Sequence, residues 1–352
     1  MYSSFTKHCG VLFLKESGRL KKMKKFINNP QDVTNELLEG HALANADLVE
    51  LKERRLTVNR HLAAADRVTV VGMGGSGHEP APIGFVGDGM LDIAISGDIF
   101  VAPEEDIAVK ALELADRGKG VIFVVLNHEG DLMTGAKATA ICRAKGIDVR
   151  EIITQEDISS APRSRGRDRR GLVGCILLYK IVGAAAAAGK NADEVAAVGQ
   201  RFADQMATLT VGVWGATHPV TGALLASFGE DDMEIGMGQH GEEGGGRIKM
   251  KTADETACIM LNALLQDLKI QSGEKIMLVL DGMGATTLME LFIVYRRCVS
   301  RLKERNIEVV ADYVGNLLTV QEAAGFQMFV ARMDNELLDL WNAPCNTPYF
   351  KK

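Results

Sequence analysis

His240 stands in the stretch GMGQHGEEGGG (236–246), more than half of which is glycine, with no bulky apolar residue between Gly238 and Gly246. A loop of this kind is costly to order, so a merely structural histidine is less expected here than elsewhere. A neutral imidazole is a nucleophile that adds to an unhindered carbonyl, and glycine walls admit a small substrate. A second histidine, His78, leaves VVGMGGSGHEPAP (70–82). There Gly74, Gly75 and Gly77 permit tight bends and close backbone approach to a polar ligand, and Ser76 adds a hydroxyl. A loop histidine after glycines is more often a hydrogen-bonding fixture than a catalyst, and the residues alone leave both open. Asp131, in LNHEGDLM (126–133), follows a buried apolar run, where open α/β sheets place their ligands. It serves equally well as a cap for the next helix, and His128 as a surface residue. These three elements lack zinc-type spacing, which points to small-molecule chemistry without a bound transition metal.

Gly72, Gly74 and Gly77 also satisfy G-x-G-x-x-G after the apolar run 67–71, the outline of a dinucleotide-binding turn, with Asp92 or Asp98 as the acidic partner. In that motif a helix starts within the glycines and its free N–H groups hold the pyrophosphate. Pro80 and Pro82 each remove a donor and disfavour helical geometry in the residue before them. A dinucleotide site is therefore not expected. No G-x-x-x-x-G-K-[ST] occurs in the 352 residues, so the sequence carries no recognised nucleotide cradle.

The elements that must position these groups are those of an α/β protein. Helical spacing of Val33, Leu37, Leu38, Leu48 and Leu51 predicts one or two helices over 31–55. Strands are expected at 68–71, within MLDIAISGDIFVAP, along the apolar run 121–126 and in GIDVREIIT, alternating with helices at about 104–117 and 135–145. The alternation indicates a largely parallel sheet. SSAPRSRGRDRRG (159–171) packs five arginines into a turn-rich stretch, read as a solvated loop or as a dock for a phosphate-bearing ligand or acidic partner. The nearly uncharged run 172–189 fits a buried helix. Beyond Met206, glycine-rich strand-like segments precede helices at 254–267 and 287–305 and strands around 275–280, 307–315 and 326–333. The expected architecture is two α/β domains, 23–206 and 207–352, each a largely parallel or mixed sheet flanked by helices. Residues 1–22 form an N-terminal extension, expected to be disordered, before what reads as a fresh start at Met23.

A net charge of −6 offers no basic field for nucleic acid or anionic membrane, and no apolar stretch reaches the ~20 residues of a membrane span. Six scattered cysteines without a C-x-x-C pair suggest reduced thiols. A soluble cytoplasmic protein is expected, with no nucleic-acid or membrane partner.

The motifs GGSGHEP (74–80) and MEIGMGQHGEEG (233–244) resemble those of the dihydroxyacetone kinase family, specifically its ketose-binding subunit. GDIFVAP, RRGLVGCILLYKIVGAAA, GATTLMEL and LWNAPCNTP follow in the family's order, so the resemblance covers about residues 23–350. It implies a ketose site in which Gly75, Ser76, Gly77 and His78 contact substrate and His240 adds to the ketone carbon as a hemiaminal. It further implies that Asp131 and His78 assist the terminal hydroxyl in phosphoryl transfer. No cofactor is expected in this chain. Magnesium-bound ADP or ATP is expected in a nucleotide-binding partner subunit, itself rephosphorylated in some systems by a phosphotransferase-system protein, and the family suggests a homodimer. Met73 replaces a usual glycine, Leu126 and His128 replace a usual lysine and tyrosine, and LDGMGAT departs from NGLGAT. These departures leave open a longer ketose such as erythrulose, and the family also includes ketose-binding transcriptional co-activators.

Overall fold

The computed structural model describes residues 24–242 and 244–352. The expectation of a disordered extension at 1–22 lies outside the described residues. The first part comprises α1 (Val33–Ala44), β1 (Val49–Lys52), β2 (Leu56–Asn59), β3 (Thr69–Ser76), β4 (Ile93–Ile99), α2 (Glu105–Ala115), β5 (Val121–Leu126), α3 (Glu129–Ala144) and β6 (Val149–Thr154). Its six strands lie in the order β1-β2-β4-β3-β5-β6. The last four are mutually parallel and β1–β2 adds an antiparallel hairpin on the edge. Every residue of β5 is buried, as a strand covered on both faces requires.

Two helices follow, α4 (Gly174–Ala187) and α5 (Ala192–Asp204). The second sheet is built from β7 (Met206–Trp214), β8 (Asp232–Ile235), β9 (Arg247–Lys249), β10 (Lys275–Gly282), β11 (Glu308–Gly315) and β12 (Ala324–Arg332), with α6 (Ala253–Leu268), α7 (Leu288–Glu304) and α8 (Asn335–Asn342). Its order is β11-β10-β12-β7-β8-β9, and within it β10–β11 is the parallel pair. Capping boxes at Asn191/Glu194, Thr252/Glu255 and Thr287/Glu290 start α5, α6 and α7. Each cap is worth about 1 kcal/mol.

The layers stack as helices, sheet, helices, sheet, helices. Helices α2 and α3 pack with Val71, Ile95 and Phe123 on the outer face of the first sheet, and α6 and α7 with Leu278 and Met328 on the outer face of the second. Between the sheets, α4 is buried along almost its whole length. It shares one core with Val70 and Val124 of the first sheet and Val279 and Phe329 of the second. No helix among the described residues is long and apolar enough to cross a membrane.

Three local expectations change. Helix α1 stops at Ala44, and Leu48 and Leu51 belong instead to the β1–β2 hairpin and its approach. Its turn places Glu53 and Arg54 at φ +48° and +58°, left-handed geometry without the glycine that would have signalled it. Strand pairing of β2 with β4 outweighs the helical spacing. Strand β3 continues through Gly72, Gly74 and Gly75 rather than ending before them. A Cβ on Gly72 would stand 2.9 Å from the Tyr179 ring, so glycine here allows α4 to press on the strand. No helix starts within the glycines, and the buried carboxylate of Asp92 is held by Arg67 and the Val70 N–H. Finally, the arginine-rich stretch is largely an internal clamp. Arg163 and Arg169 hold Asp267 of α6, Arg170 holds Asp157, and Arg165 and Arg167 are exposed.

Candidate active site

The cleft lies beyond the C-terminal ends of β3 and β5, where loops from the second sheet fold over the first. It is lined by Gly74, Gly75, His78, Asp131 and His240, together with Phe100, Leu126, His128 and Gln239. A Cβ on Gly75 would lie 2.8 Å from the Val101 nitrogen, so only glycine lets these backbones approach so closely.

After β3 the chain turns at Gly77, whose φ of +97° favours glycine and whose N–H donates to Glu79 Oε1 at 2.9 Å. The turn delivers His78 into the cleft. Its Nδ1 is 2.7 Å from the Thr319 carbonyl, so the proton resides on Nδ1 and the Nε2 lone pair faces the cleft. Burial, reinforced by His240, pulls the His78 pKa down to about 3, and the ring is neutral. The loop after β11 fixes this segment, with Thr319 N–H donating to the His78 carbonyl and Thr319 Oγ1 to the Glu79 carbonyl.

His240 comes from the glycine-rich loop after β8. Arg170 and Ser159 both donate to the Gly236 carbonyl at the start of that loop, at 2.9 and 3.0 Å. Gly241 has φ +86°, and a Cβ there would meet the Leu225 carbonyl oxygen at 2.5 Å. Glu242 accepts from the His240 N–H at 2.8 Å, and its carboxylate lies 3.4 Å from His240 Nδ1. Burial alone would raise the Glu242 carboxyl, but its interactions with His240 outweigh that and hold it at about 2. His240 Nε2 points into the cleft 3.1 Å from His78 Nε2, an approach in which one of the two nitrogens carries the proton between them.

Asp131 lies in the first turn of α3, which begins six residues before the sequence suggested. The His128 side chain, at the N-cap, makes no capping bond. Asp131 caps nothing either: its Oδ1 is buried without a partner. It is 8 % exposed, and burial, partly offset by His240, pushes its pKa up to about 7. His128 is half-buried in the cleft wall rather than on the surface. Its Nε2 donates to the Gly171 carbonyl at 2.9 Å, and burial lowers its pKa. Phe100 packs against both His78 and His240, with ring centroids 5.1 and 5.4 Å away.

The fold thus brings together Gly75, His78, Asp131 and His240 from three separate stretches. Ser76 and Gly77 lie beside the cleft but outside its lining. The Ser76 hydroxyl donates to the Gly97 carbonyl at 2.8 Å, and Gly77 shapes the turn. Glu242, Gln239, Phe100 and Thr319 were not singled out from the sequence. Glu242, two residues from His240, was within reach of such reading, whereas Phe100 and Thr319 arrive by tertiary folding alone. One ligand atom each from His128, His240 and Glu242 lie within 4.8 Å of one another, so these side chains could hold a metal ion.

The cleft at the strand ends thus gathers two neighbouring imidazoles and a buried carboxyl within glycine-rich walls of an α/β fold. A Dak1 domain model matches residues 39–349, and the chain belongs to the dihydroxyacetone kinase family as a relative of its ketose-binding subunits. It is 32% identical over 94% of its length to the dihydroxyacetone-binding subunit DhaK of PTS-dependent dihydroxyacetone kinase 2 of Listeria innocua, covering 99% of that chain. It is 35% identical to an L-erythrulose kinase of Pectobacterium atrosepticum, over 94% of this chain and 56% of the relative. A solved structure of a dihydroxyacetone kinase operon co-activator, Dha-DhaQ, superposes with a TM-score of 0.84 at 31% identity, covering 89% of this chain and 97% of that one.

Proposed function

We propose that this chain captures a short ketose covalently on His240 and presents its hydroxyl to a phosphoryl donor held by a nucleotide-binding partner subunit. The observation that carries this reading is the placement of His240 Nε2 in the cleft with the Glu242 carboxylate 3.4 Å from Nδ1, and the attacking form is the tautomer whose proton is on Nδ1. Nε2 attacks the ketone carbon, a C–N bond forms and the C=O π pair moves to oxygen. The oxygen takes a proton from solvent, and Nδ1, whose hydrogen bond Glu242 accepts, releases one to solvent, so the hemiaminal is neutral and no water is lost. Capture selects a carbonyl compound over glycerol and fixes the terminal hydroxyl for in-line transfer, where positioning supplies most of the catalysis. Asp131, with its free oxygen and pKa of about 7, takes the hydroxyl proton as the phosphoryl group arrives, and His78 Nε2 accepts a hydrogen bond from the same hydroxyl. Magnesium-bound ADP or ATP belongs to the partner, which a phosphotransferase-system protein recharges if the nucleotide is ADP.

Leu126, buried where the family commonly has lysine, makes the cleft wall apolar and leaves a longer ketose such as erythrulose as an alternative substrate. A ketose-sensing co-activator is the second reading, supported by the likeness to Dha-DhaQ. The poised Asp131 favours the kinase, since a sensor needs no proton acceptor. Homodimerisation is proposed through α7, whose Leu288, Met289, Phe292 and Ile293 form an exposed apolar stripe. The deciding assay supplies the purified chain, a nucleotide-binding subunit and phosphoryl donor with dihydroxyacetone or erythrulose. The phosphorylated ketose is expected for at least one of them. Ketose binding without turnover under any donor supports the sensor.

A further inference from the structure

We propose that the same cleft is a binding site for a divalent transition-metal ion of the zinc class, held by His128, His240 and Glu242, and that the ion excludes the ketose by occupying His240. One ligand atom from each of these side chains already lies within 4.8 Å of the other two. Two imidazoles and a carboxylate form the donor set of open, three-ligand zinc sites, in which a fourth position is left to water. Zn–N and Zn–O distances of about 2.0–2.2 Å put tetrahedral ligand atoms roughly 3.3 Å apart. Modest side-chain rotations therefore close the site, and the glycines flanking His240 and Glu242 allow them.

Two further features fit metal ligation rather than accident. His128 Nε2 donates to the Gly171 carbonyl at 2.9 Å, which leaves Nδ1 as the lone pair. Holding the far nitrogen of a ligating histidine in this way is the usual outer-shell arrangement of metal sites. Asp131, 8 % exposed and with Oδ1 unpartnered, lines the same cleft and offers an acceptor for a metal-bound water. Ligands at 128, 240 and 242 escape any local spacing rule, which is why the sequence points away from a metal. Nitrogen-rich ligation also discriminates: zinc, cobalt, nickel and copper suit imidazole, whereas magnesium prefers oxygen. The magnesium that accompanies a partner's nucleotide would leave this site empty.

Cobalt(II) titrated into metal-free protein tests the site without any ketose. A visible d–d band saturating at one equivalent, abolished by zinc and unaffected by excess magnesium, is expected. His128→Tyr and Glu242→Gln should each weaken cobalt binding by about tenfold or more, with thermal unfolding confirming that each variant is folded. Two variants from different elements guard against one that does not fold. Absence of the band, or equal affinity in both folded variants, would overturn the proposal. The ketose reading is scored separately, by the adduct mass of the metal-free protein, so either can fail alone.

Discussion

Asp131 gives the proposed reaction its pH dependence. In its proposed role as acceptor of the hydroxyl proton it must be ionised, and burial, which pushes its pKa up to about 7, sets the window. Phosphoryl transfer in the presence of the partner subunit should therefore fall as pH drops through about 7. Asp131→Asn should lose about 10²-fold or more in turnover while still gaining the ketose mass. A flat pH–rate profile over pH 6–8 (roughly one unit either side of the pKa), or an active Asn variant, would remove Asp131 from that role. The same carboxyl burdens the fold. Between its ordinary pKa of 3.8 and about 7 the folded state keeps a proton that the unfolded chain has released. Stability contributed by this group is thus lost as pH rises through that interval. Asp131→Asn should melt higher than wild type at pH 8, about one unit above the folded pKa, and the difference should vanish near pH 4, around the unfolded value. At this scale the place of His240 in the cleft was legible, because a histidine among glycines has few structural duties. Glu242 was less so, since one of two adjacent glutamates becomes a partner only once the loop bends at Gly241. Thr319 was not legible at all: its contribution to His78 is a backbone carbonyl, which any residue type supplies.

Among the elements, strands buried on both faces announce themselves as continuous apolar runs, and β5 and β10 lie close to where hydrophobicity places them. The β1–β2 hairpin did not, because its turn uses Glu53 and Arg54 and its apolar spacing fits a helix equally well. The arginine-rich loop shows how charge misleads when the partner is distant. Five arginines read as a solvated or ligand-facing stretch, yet Arg169, 1 % exposed, donates to the Ala161 carbonyl at 2.8 Å and to Asp267 at 3.0 Å. Asp267 lies on a helix about a hundred residues away (|i−j| = 98), and no local pattern connects the two. Removing Arg169 leaves Asp267 with Arg163 as its remaining partner and takes away charge-assisted hydrogen bonds worth about 1.5–3 kcal/mol. Arg169→Met should lower stability by roughly 2 kcal/mol in urea unfolding. It should also loosen the neighbouring Arg170–Gly236 tie and so reduce ketose binding. A change under about 0.5 kcal/mol would mean that solvent relieves Asp267 without the clamp.

In the whole molecule, the two sheets meet across α4, and the cleft groups come from both sides of that shared layer. His78 follows β3 and Asp131 lies in the first turn of α3 on the first sheet's side, whereas His240 and the Thr319 carbonyl come from the second sheet's loops. Any motion between the sheets would therefore open or close the His78–His240 distance. The outer layer carries the α7 stripe, with Phe292 54 % exposed. Phe292→Asp should shift the protein from dimer to monomer in light scattering without lowering its unfolding midpoint. A wild-type monomer would refute that interface.

The most direct measurement is the intact mass of the metal-free protein after incubation with dihydroxyacetone and, separately, erythrulose, recorded under mild conditions for wild type and His240→Ala. A hemiaminal forms without loss of water, so wild type should gain the full mass of one ketose, glycerol should add nothing, and His240→Ala should gain none. An undiminished adduct in His240→Ala would assign the covalent chemistry to another residue and contradict the mechanism.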